Sequence, residues 1–212
     1  MSRKMGLIFT GAFIVGMTLY MGYDAKISGL YDLTFSEFIK IYLDSSQKYF
    51  FNITIFLIPI SYFGRIPFLK SEYFIRLRDD MPIYIIKRTA LTSLLTTALI
   101  SMSFILTAFV FGINISQLAA NIPVIIKLFL FINAGLLVGV SIYFLTNKII
   151  LGIMSIAIIN FLFLMTLIAY QYYTMTWDNN LEKNLFYAYI VIANCLPAIY
   201  LFARASHKEC LK

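Results

Sequence analysis

Side chains able to carry covalent, metal or acid–base chemistry are few in this sequence, and they lie far apart. The chain has one histidine, His207, and two cysteines, Cys195 and Cys210. A metal centre needs several such ligands at short spacings, so no metal or other cofactor is expected on this chain. No phosphate-binding loop of the form G-x-x-x-x-G-K-S/T occurs. We therefore expect a protein without its own ATPase or other enzymatic site.

Two amides, Asn133 and Asn160, lie near the middle of the fourth and fifth apolar stretches. No Asp, Glu, His or Arg lies near the middle of any apolar stretch. Because burying a charge in hydrocarbon is expensive, a proton-coupled or ion-coupled carrier would lack its usual relay. Two interpretations of the amides stay open: they form hydrogen bonds between helices, or they line a polar translocation path.

Composition indicates which elements must position these groups. Of the 212 residues, 61% are hydrophobic and 13% are charged, whereas a soluble domain has about half apolar and about a quarter charged residues. The sequence therefore predicts an all-α integral membrane protein. In a membrane protein, basic residues in the loops set the orientation of the chain, and the net charge of +7 is explained in this way. Nucleic acid is therefore not an expected partner.

Six stretches meet or approach the length of about 20 mostly apolar residues that a spanning helix needs. They form one predicted transmembrane domain over residues 1–212, and the loops leave no room for a soluble catalytic domain. The first stretch is expected to be an uncleaved span, because no small-residue cleavage site follows it. The predicted spans are 5–23, 49–64, 89–112, 123–146, 149–170 and 185–203.

Basic residues are divided unequally between the two sides of these spans. With the N-terminus inside the cell, the inner side carries twelve Lys and Arg residues and the outer side five. Because basic loops stay on the cytoplasmic side, both termini are predicted to be cytoplasmic. Tyr170, Tyr172, Tyr173 and Trp177 follow the fifth span, where amphipathic rings favour the headgroup level.

Small residues recur at helical spacing in the third and fourth spans. Ser93, Thr97 and Ser101 are four residues apart, and Gly135 and Gly139 form a GxxxG pair. Faces of this kind let helices in lipid approach closely. Helix packing is therefore the first interpretation of these five residues, and lining a translocation path is the alternative.

The connection between the first two spans contains an amphipathic pattern. Thr34 and Glu37 have the spacing of a capping box, and Phe35, Phe38 and Tyr42 fall on one helical face. A helix is predicted over about 34–45 on the outer side. It either lies on lipid, as amphipathic helices commonly do, or covers a substrate exit as a lid.

The connection between the second and third spans, 65–88, carries six basic residues and is bracketed by Pro67 and Pro82. A short cytoplasmic helix is predicted over about 68–81. Basic loops serve orientation in any membrane protein, but acidic residues contribute little to topology, and an acidic pair occurs here. The apolar stripe and mixed charges favour a docking surface for another protein, formed by Leu69, Glu72, Tyr73, Arg76, Leu77, Arg78, Asp79 and Asp80.

Three segments of sequence, 33–42, 55–60 and 73–78 leading into Lys87 and Arg88, resemble the small permease subunits of ABC-2-type transporters of Gram-positive bacteria. The six-span layout with a cytoplasmic helix between spans two and three is similar as well. The resemblance covers roughly residues 30–110. It implies a multi-pass protein of the bacterial cytoplasmic membrane in which the 68–81 helix is the coupling helix.

The same resemblance implies partners and cargo. A second permease copy or a paralogue and a cytoplasmic ABC ATPase dimer, which binds ATP and Mg²⁺, would complete the transporter, in contact with membrane lipid. Export of a hydrophobic or amphipathic peptide-like substrate is expected, in the manner of peptide or bacteriocin export and immunity systems. Two alternatives stay open: a non-transporting bacteriocin-immunity or scaffold protein, and a membrane enzyme that uses loop carboxylates such as Asp24, Asp32 and Asp178.

Overall fold

All regular elements of the described residues are helical. A computed structural model of the chain describes residues 3–29, 33–44, 56–57, 59–62, 81–115, 121–174 and 179–206. The prediction of an all-α fold is confirmed for this part of the chain. The helices are α1 Arg3–Ile27, α2 Phe35–Ile39 with a following π-helical turn Lys40–Asp44, α3 Met81–Phe111, α4 Ile122–Thr146, α5 Ile149–Thr174 and α6 Asn179–Ser206.

Five of the described helices, α1 and α3 to α6, are long and apolar enough to cross a membrane. Their most apolar stretches have mean hydropathies between 1.6 and 2.5, and the fold is that of a multi-pass helical membrane protein. The predicted second span, 49–64, falls largely outside the described residues. Its described residues, 56–57 and 59–62, are helical.

Helix α4 lies at the centre of the bundle. It packs against α3, α5 and α6, while α1 packs against α3. In its most apolar stretch 67% of the residues are buried, against 22 to 39% in the other four long helices. Because the outer helices keep one apolar face exposed, they present that face to the hydrocarbon, and α4 is the element around which the others are assembled.

Helix α3 begins at Met81 and so includes residues 81–88, which the sequence placed in a connection. Pro82 stands in its first turn, where the missing N–H would have no helical partner and the fixed φ suits the helix. Ile83, Ile85 and Ile86 continue the apolar pattern toward the basic pair that follows. A proline expected to delimit a shorter helix therefore starts a longer one.

Helices α4 and α5 form an antiparallel hairpin with a tight connection. Asn147 adopts a left-handed conformation with φ of 55°, and its N–H donates to the carbonyl of Tyr143 at 2.8 Å. Asn tolerates this conformation better than most residues. At the far end of α5, Tyr172 and Tyr173 are 80% and 87% exposed, which suits rings at the headgroup level.

Candidate functional site

A network of neutral side chains joins three helices in the middle of the bundle. Asn133 of α4 donates from Nδ2 to Oδ1 of Asn194 of α6 at 2.8 Å, and Ser93 of α3 lies 3.2 Å from Asn133 Oδ1. Asn194 also donates from Nδ2 to the carbonyls of Ile190 at 2.8 Å and Leu130 at 3.2 Å. We call Ser93, Asn133 and Asn194 the polar node.

The polar node lies between two separate hydrophobic clusters. The larger includes Ile100 of α3, Leu128 of α4 and Ile190 of α6. The smaller, toward the other end of the bundle, is formed by Ile85, Leu137, Val140, Tyr143, Phe144 and Leu201. The node thus fixes the register of α3, α4 and α6 at the level where apolar packing is divided.

A second amide, Asn160 of α5, is nearly fully buried at 1% exposure. Its Nδ2 donates to the carbonyl of Ile156 at 2.8 Å, and its Oδ1 accepts from the hydroxyl of Tyr189 of α6. The Tyr189 ring lies 4.6 Å from the Phe163 ring and 6.1 Å from the Phe131 ring, centre to centre. Both amides singled out from the sequence therefore bridge helices in this structure.

The hydroxyl stripe of α3 faces the interior. Ser93 and Thr97 are buried and Ser101 is partly buried. The Ser93 hydroxyl also lies 2.9 Å from the carbonyl of Thr89, and Thr97 donates to the carbonyl of Ser93 at 2.8 Å. The Thr97 hydroxyl returns its hydrogen to its own helix, whereas the single hydroxyl hydrogen of Ser93 is shared between the Thr89 carbonyl and Asn133 Oδ1.

Two glycine contacts hold helices at short distance. A Cβ added to Gly139 would lie 2.8 Å from the carbonyl oxygen of Gly152 and 2.7 Å from Ile156 Cδ1, and one added to Gly135 would lie 3.3 Å from Ile156 Cγ2. Gly139 therefore faces α5, while Gly135 faces both α5 and Leu57, which lies equally close at 3.3 Å. Gly22 of α1 is as tightly placed against Thr107 of α3, with 2.5 Å from an added Cβ to Thr107 Cγ2, although no glycine repeat marks it in the sequence.

Residues 33–44 form a short helical segment, here called the cap, that packs on the bundle where α1 and α3 end. The predicted capping box is present: the backbone N–H of Thr34 donates to Glu37 Oε2 at 2.9 Å, and the backbone N–H of Glu37 donates to Thr34 Oγ1 at 3.3 Å. The bond from the Thr34 backbone, followed by that from its hydroxyl, lowers the pKa of Glu37. The start of the cap thus holds a stable carboxylate.

The apolar face of the cap is buried against protein. Phe35, Phe38 and Ile39 belong to the larger hydrophobic cluster, and the Phe38 and Phe104 ring centres are 5.4 Å apart. The backbone N–H of Phe35 donates to the carbonyl of Asn114 at 2.8 Å. This contact extends the attachment to the residues that follow α3.

A second polar attachment of the cap is a bond between two side chains. The Tyr42 hydroxyl donates to Asp24 Oδ2 at 2.7 Å, which joins the π-helical turn to the end of α1. Burial, and then the hydrogen bond to Asp24, raises the pKa of Tyr42. The hydroxyl therefore remains a proton donor throughout the physiological pH range.

The docking residues predicted between Pro67 and Pro82 lie outside the described residues, so their arrangement is not part of the site. Cys195 is exposed on α6, and His207 falls beyond the described range. Among the described residues, no group of three or more His, Cys, Asp or Glu side chains could hold a metal ion.

Sequence reasoning missed Asn194, Tyr189 and the bond between Tyr42 and Asp24. Asn194 had a usable signal, because it is an amide inside a predicted span, as Asn133 and Asn160 are. The sequence pattern places Tyr42 on the apolar face of its helix, but its hydrogen-bond partner lies 18 residues away, on α1. Pairing of that kind depends on how the chain folds back and has no local pattern.

Models of known protein families, curated proteins and solved structures contain no match to this chain. The class of this protein is therefore inferred from its own structure. It is a helical membrane protein with five described candidate spans, whose central helix is joined to its neighbours by uncharged polar groups.

Proposed function

We propose that this protein is the membrane permease subunit of an ABC-type exporter that moves a hydrophobic or amphipathic peptide-like substrate. The observation that carries the proposal is the neutral chemistry of the described helix contacts: Ser93, Asn133, Asn160 and Asn194 offer hydroxyls and amides. Such an interior suits cargo that needs no buried counter-charge, because an unpaired charge there would be costly.

The proposal includes a division of labour. This chain supplies the path through the bacterial cytoplasmic membrane, and a separate ATPase dimer binds ATP and Mg²⁺. A second copy or a paralogue completes the path. The helix at 68–81 would transmit ATPase movement through its stripe Leu69, Tyr73 and Leu77, and it connects in sequence directly to α3, whose Ser93 belongs to the polar node.

Co-purification tests this division of labour. The tagged full-length chain is extracted from its native host in mild detergent, and the accompanying chains are identified by mass spectrometry. We expect an ATPase subunit to be retained, and to be lost in the double variant Tyr73→Ala with Leu77→Ala. Burying such side chains is worth about 1.5–3 kcal/mol each, enough to release a docked partner.

Phe74→Ala is the matched control, because Phe74 neighbours the stripe and lies off it. It should leave the ATPase bound. An ATPase that survives the double substitution would remove the coupling role of this segment. A chain that purifies with no ATPase at all would instead favour the immunity or scaffold function.

The proposed topology has six spans, the second at 49–64, and cytoplasmic termini. Single cysteines at Ser28 and Lys148, both exposed at opposite ends of the bundle, test it in a background without Cys195 and Cys210. A membrane-impermeant reagent added outside intact cells should label Ser28→Cys and leave Lys148→Cys unmodified. The reverse pattern would overturn the orientation.

A further inference from the structure

We propose that the cap, residues 33–44, is a releasable lid, and that the hydrogen bond between Tyr42 and Asp24 is its latch. In the docked state seen here, the cap covers the apolar surface where α1 and α3 meet. In the released state it lies on the membrane surface with the same apolar face in lipid. The proposal depends on the membrane-spanning bundle and is independent of the proposed export function.

The apolar contacts of the cap are compatible with release onto a membrane. Phe38 is fully buried and Phe35 is 2% exposed, so release into water would expose large aromatic surfaces. Release onto a bilayer would not, because lipid tails are as apolar as a protein interior and amphipathic helices bind stably at the interface. The hydrophobic contribution of the cap side chains therefore nearly cancels between the docked and released states, and the uncovered bundle face loses little where lipid tails replace the cap.

The polar contacts of the cap then decide the balance between the docked and released states. The cap is joined to the bundle by the Tyr42 hydroxyl on Asp24 and by the Phe35 N–H on the carbonyl of Asn114. A hydrogen bond to a carboxylate is stronger than one between neutral groups. Hence Tyr42 and Asp24 form the contact whose loss shifts the balance most.

Glycines with positive φ lie near both of these contacts. Gly29, just after α1, has φ of 76°, and Gly112, just after α3, has φ of 70°. At both positions an added Cβ would meet no atom within 4 Å. Gly29, in open space on the chain that leads into the cap, supplies a backbone position that can absorb the rotation of a lid. Gly112 precedes Asn114, whose carbonyl the cap contacts, and stays with the bundle.

Release would uncover Phe104 of α3, whose ring packs against Phe38 in the hydrophobic cluster that the cap completes. Such a face matches the chemistry of an amphipathic peptide with apolar residues at the spacing of Phe35, Phe38 and Tyr42. Under the proposed export function, the docked cap therefore occupies a surface that the cargo would use.

Distance measurement between spin labels tests the lid directly. Labels are placed at Ser28→Cys and Lys40→Cys, both exposed, in a background with Cys195→Ser and Cys210→Ser. The full-length protein is studied in nanodiscs of phosphatidylcholine, without ATPase or cargo. We expect docked and released populations, and Tyr42→Phe should raise the ratio of released to docked by about tenfold, the effect of one hydrogen bond to a charged group.

Tyr23→Phe is the matched control, because it removes a hydroxyl from an exposed ring on the same helix end and should leave the ratio unchanged. Asp24→Asn keeps the shape of the acceptor and should shift the ratio in the same direction as Tyr42→Phe, by less. If the Tyr42→Phe variant is not monodisperse, Asp24→Asn serves as the test variant in its place. Distance distributions identical to the unsubstituted protein in the interpretable variants would overturn the lid, whatever the outcome of the ATPase experiment.

Discussion

Among the polar contacts that join separate elements of this bundle, two differ most in position: the polar node around Asn133 in the middle, and the bond between Tyr42 and Asp24 at the cap. Both connect side chains distant in sequence, with hydrogen bonds of 2.8 and 2.7 Å. They differ in what replaces them when they break. The half-buried Asn133 and Asn194 lie midway along helices that are long and apolar enough to cross a membrane. Tyr42 is only 4% exposed in the docked cap, and it reaches water and lipid headgroups when the cap is released.

This difference assigns the two contacts different roles. A hydrogen bond without a solvent alternative fixes register, because breaking it leaves buried donors and acceptors unpaired. A hydrogen bond next to the interface is exchanged for bonds to water when the cap is released, so only its net contribution, about tenfold in the ratio of released to docked, opposes release. Similar chemistry therefore makes a permanent joint in the centre of the bundle and a reversible one at its edge.

The largest effect is expected where the central packing itself is disrupted, at the close contact between α4 and α5. Gly139→Ala places a methyl group against the Gly152 carbonyl, which is backbone and cannot rotate away. We expect a loss of about 1–3 kcal/mol in the free energy of unfolding, the usual cost of overpacking a core. Equilibrium unfolding in mixed micelles measures it.

Gly16→Ala is the control for that substitution, since an added Cβ at Gly16 meets nothing within 4 Å. It should be neutral or stabilising by about 0.5–1 kcal/mol, because alanine favours the helix over glycine. Equal losses from both substitutions would show that helix propensity, and not the contact between α4 and α5, controls stability.

A smaller loss is expected from the polar node. Asn133→Leu removes the donor to Asn194 Oδ1 and the acceptor near Ser93. Interhelical hydrogen bonds in membranes average about 0.6 kcal/mol and reach about 1.7 kcal/mol. The free energy of unfolding should therefore decrease by an amount in this range. A double-mutant cycle with Asn194→Leu should give a coupling of similar size.

Thr166→Val is the reference for the node, because Thr166 is exposed on α5 and bonds only to its own helix at Leu162. It should leave stability unchanged. A zero coupling between Asn133 and Asn194 would mean that the node does not fix register, and the contrast with the cap would fail.

Several parts of this molecule could be predicted from sequence, and they share a physical basis. The long apolar helices follow from length and hydropathy, and the capping box at Thr34 and Glu37 follows from two residues three positions apart. The start of α3 could not be predicted in this way, because Pro82 is equally compatible with ending a helix before it and with opening one. Local pattern alone does not choose between these.

Contacts between helices were predicted less well than the helices themselves. Gly135 and Gly139 could be recognised as a packing face, but their partner, α5, could not, because any neighbouring helix satisfies the pattern. Asn133 was recognised as an interior amide, while its link to Asn194 depends on the relative rotation of α4 and α6. Those quantities are set by the whole bundle, which one segment of sequence does not encode.

The smallest predicted effect concerns the pH dependence of the cap helix. The pKa of Glu37 is lowered from its ordinary value of 4.5, mainly by the Thr34 backbone N–H. A carboxyl whose pKa is lower in the folded state contributes stability above its ordinary pKa, and this contribution is lost as the pH falls through the folded value. The cap helix should therefore loosen as the pH is lowered from 4.5, while the polar node, which contains no titratable side chain, should not respond. Mobility of a spin label at Lys40→Cys measures the loosening, and Glu37→Gln, which keeps the spacing of a capping box without a titrating group, should abolish the pH dependence. A label equally mobile at neutral and acidic pH in the protein with Glu37 would show that the capping box does not hold the cap in its helical form.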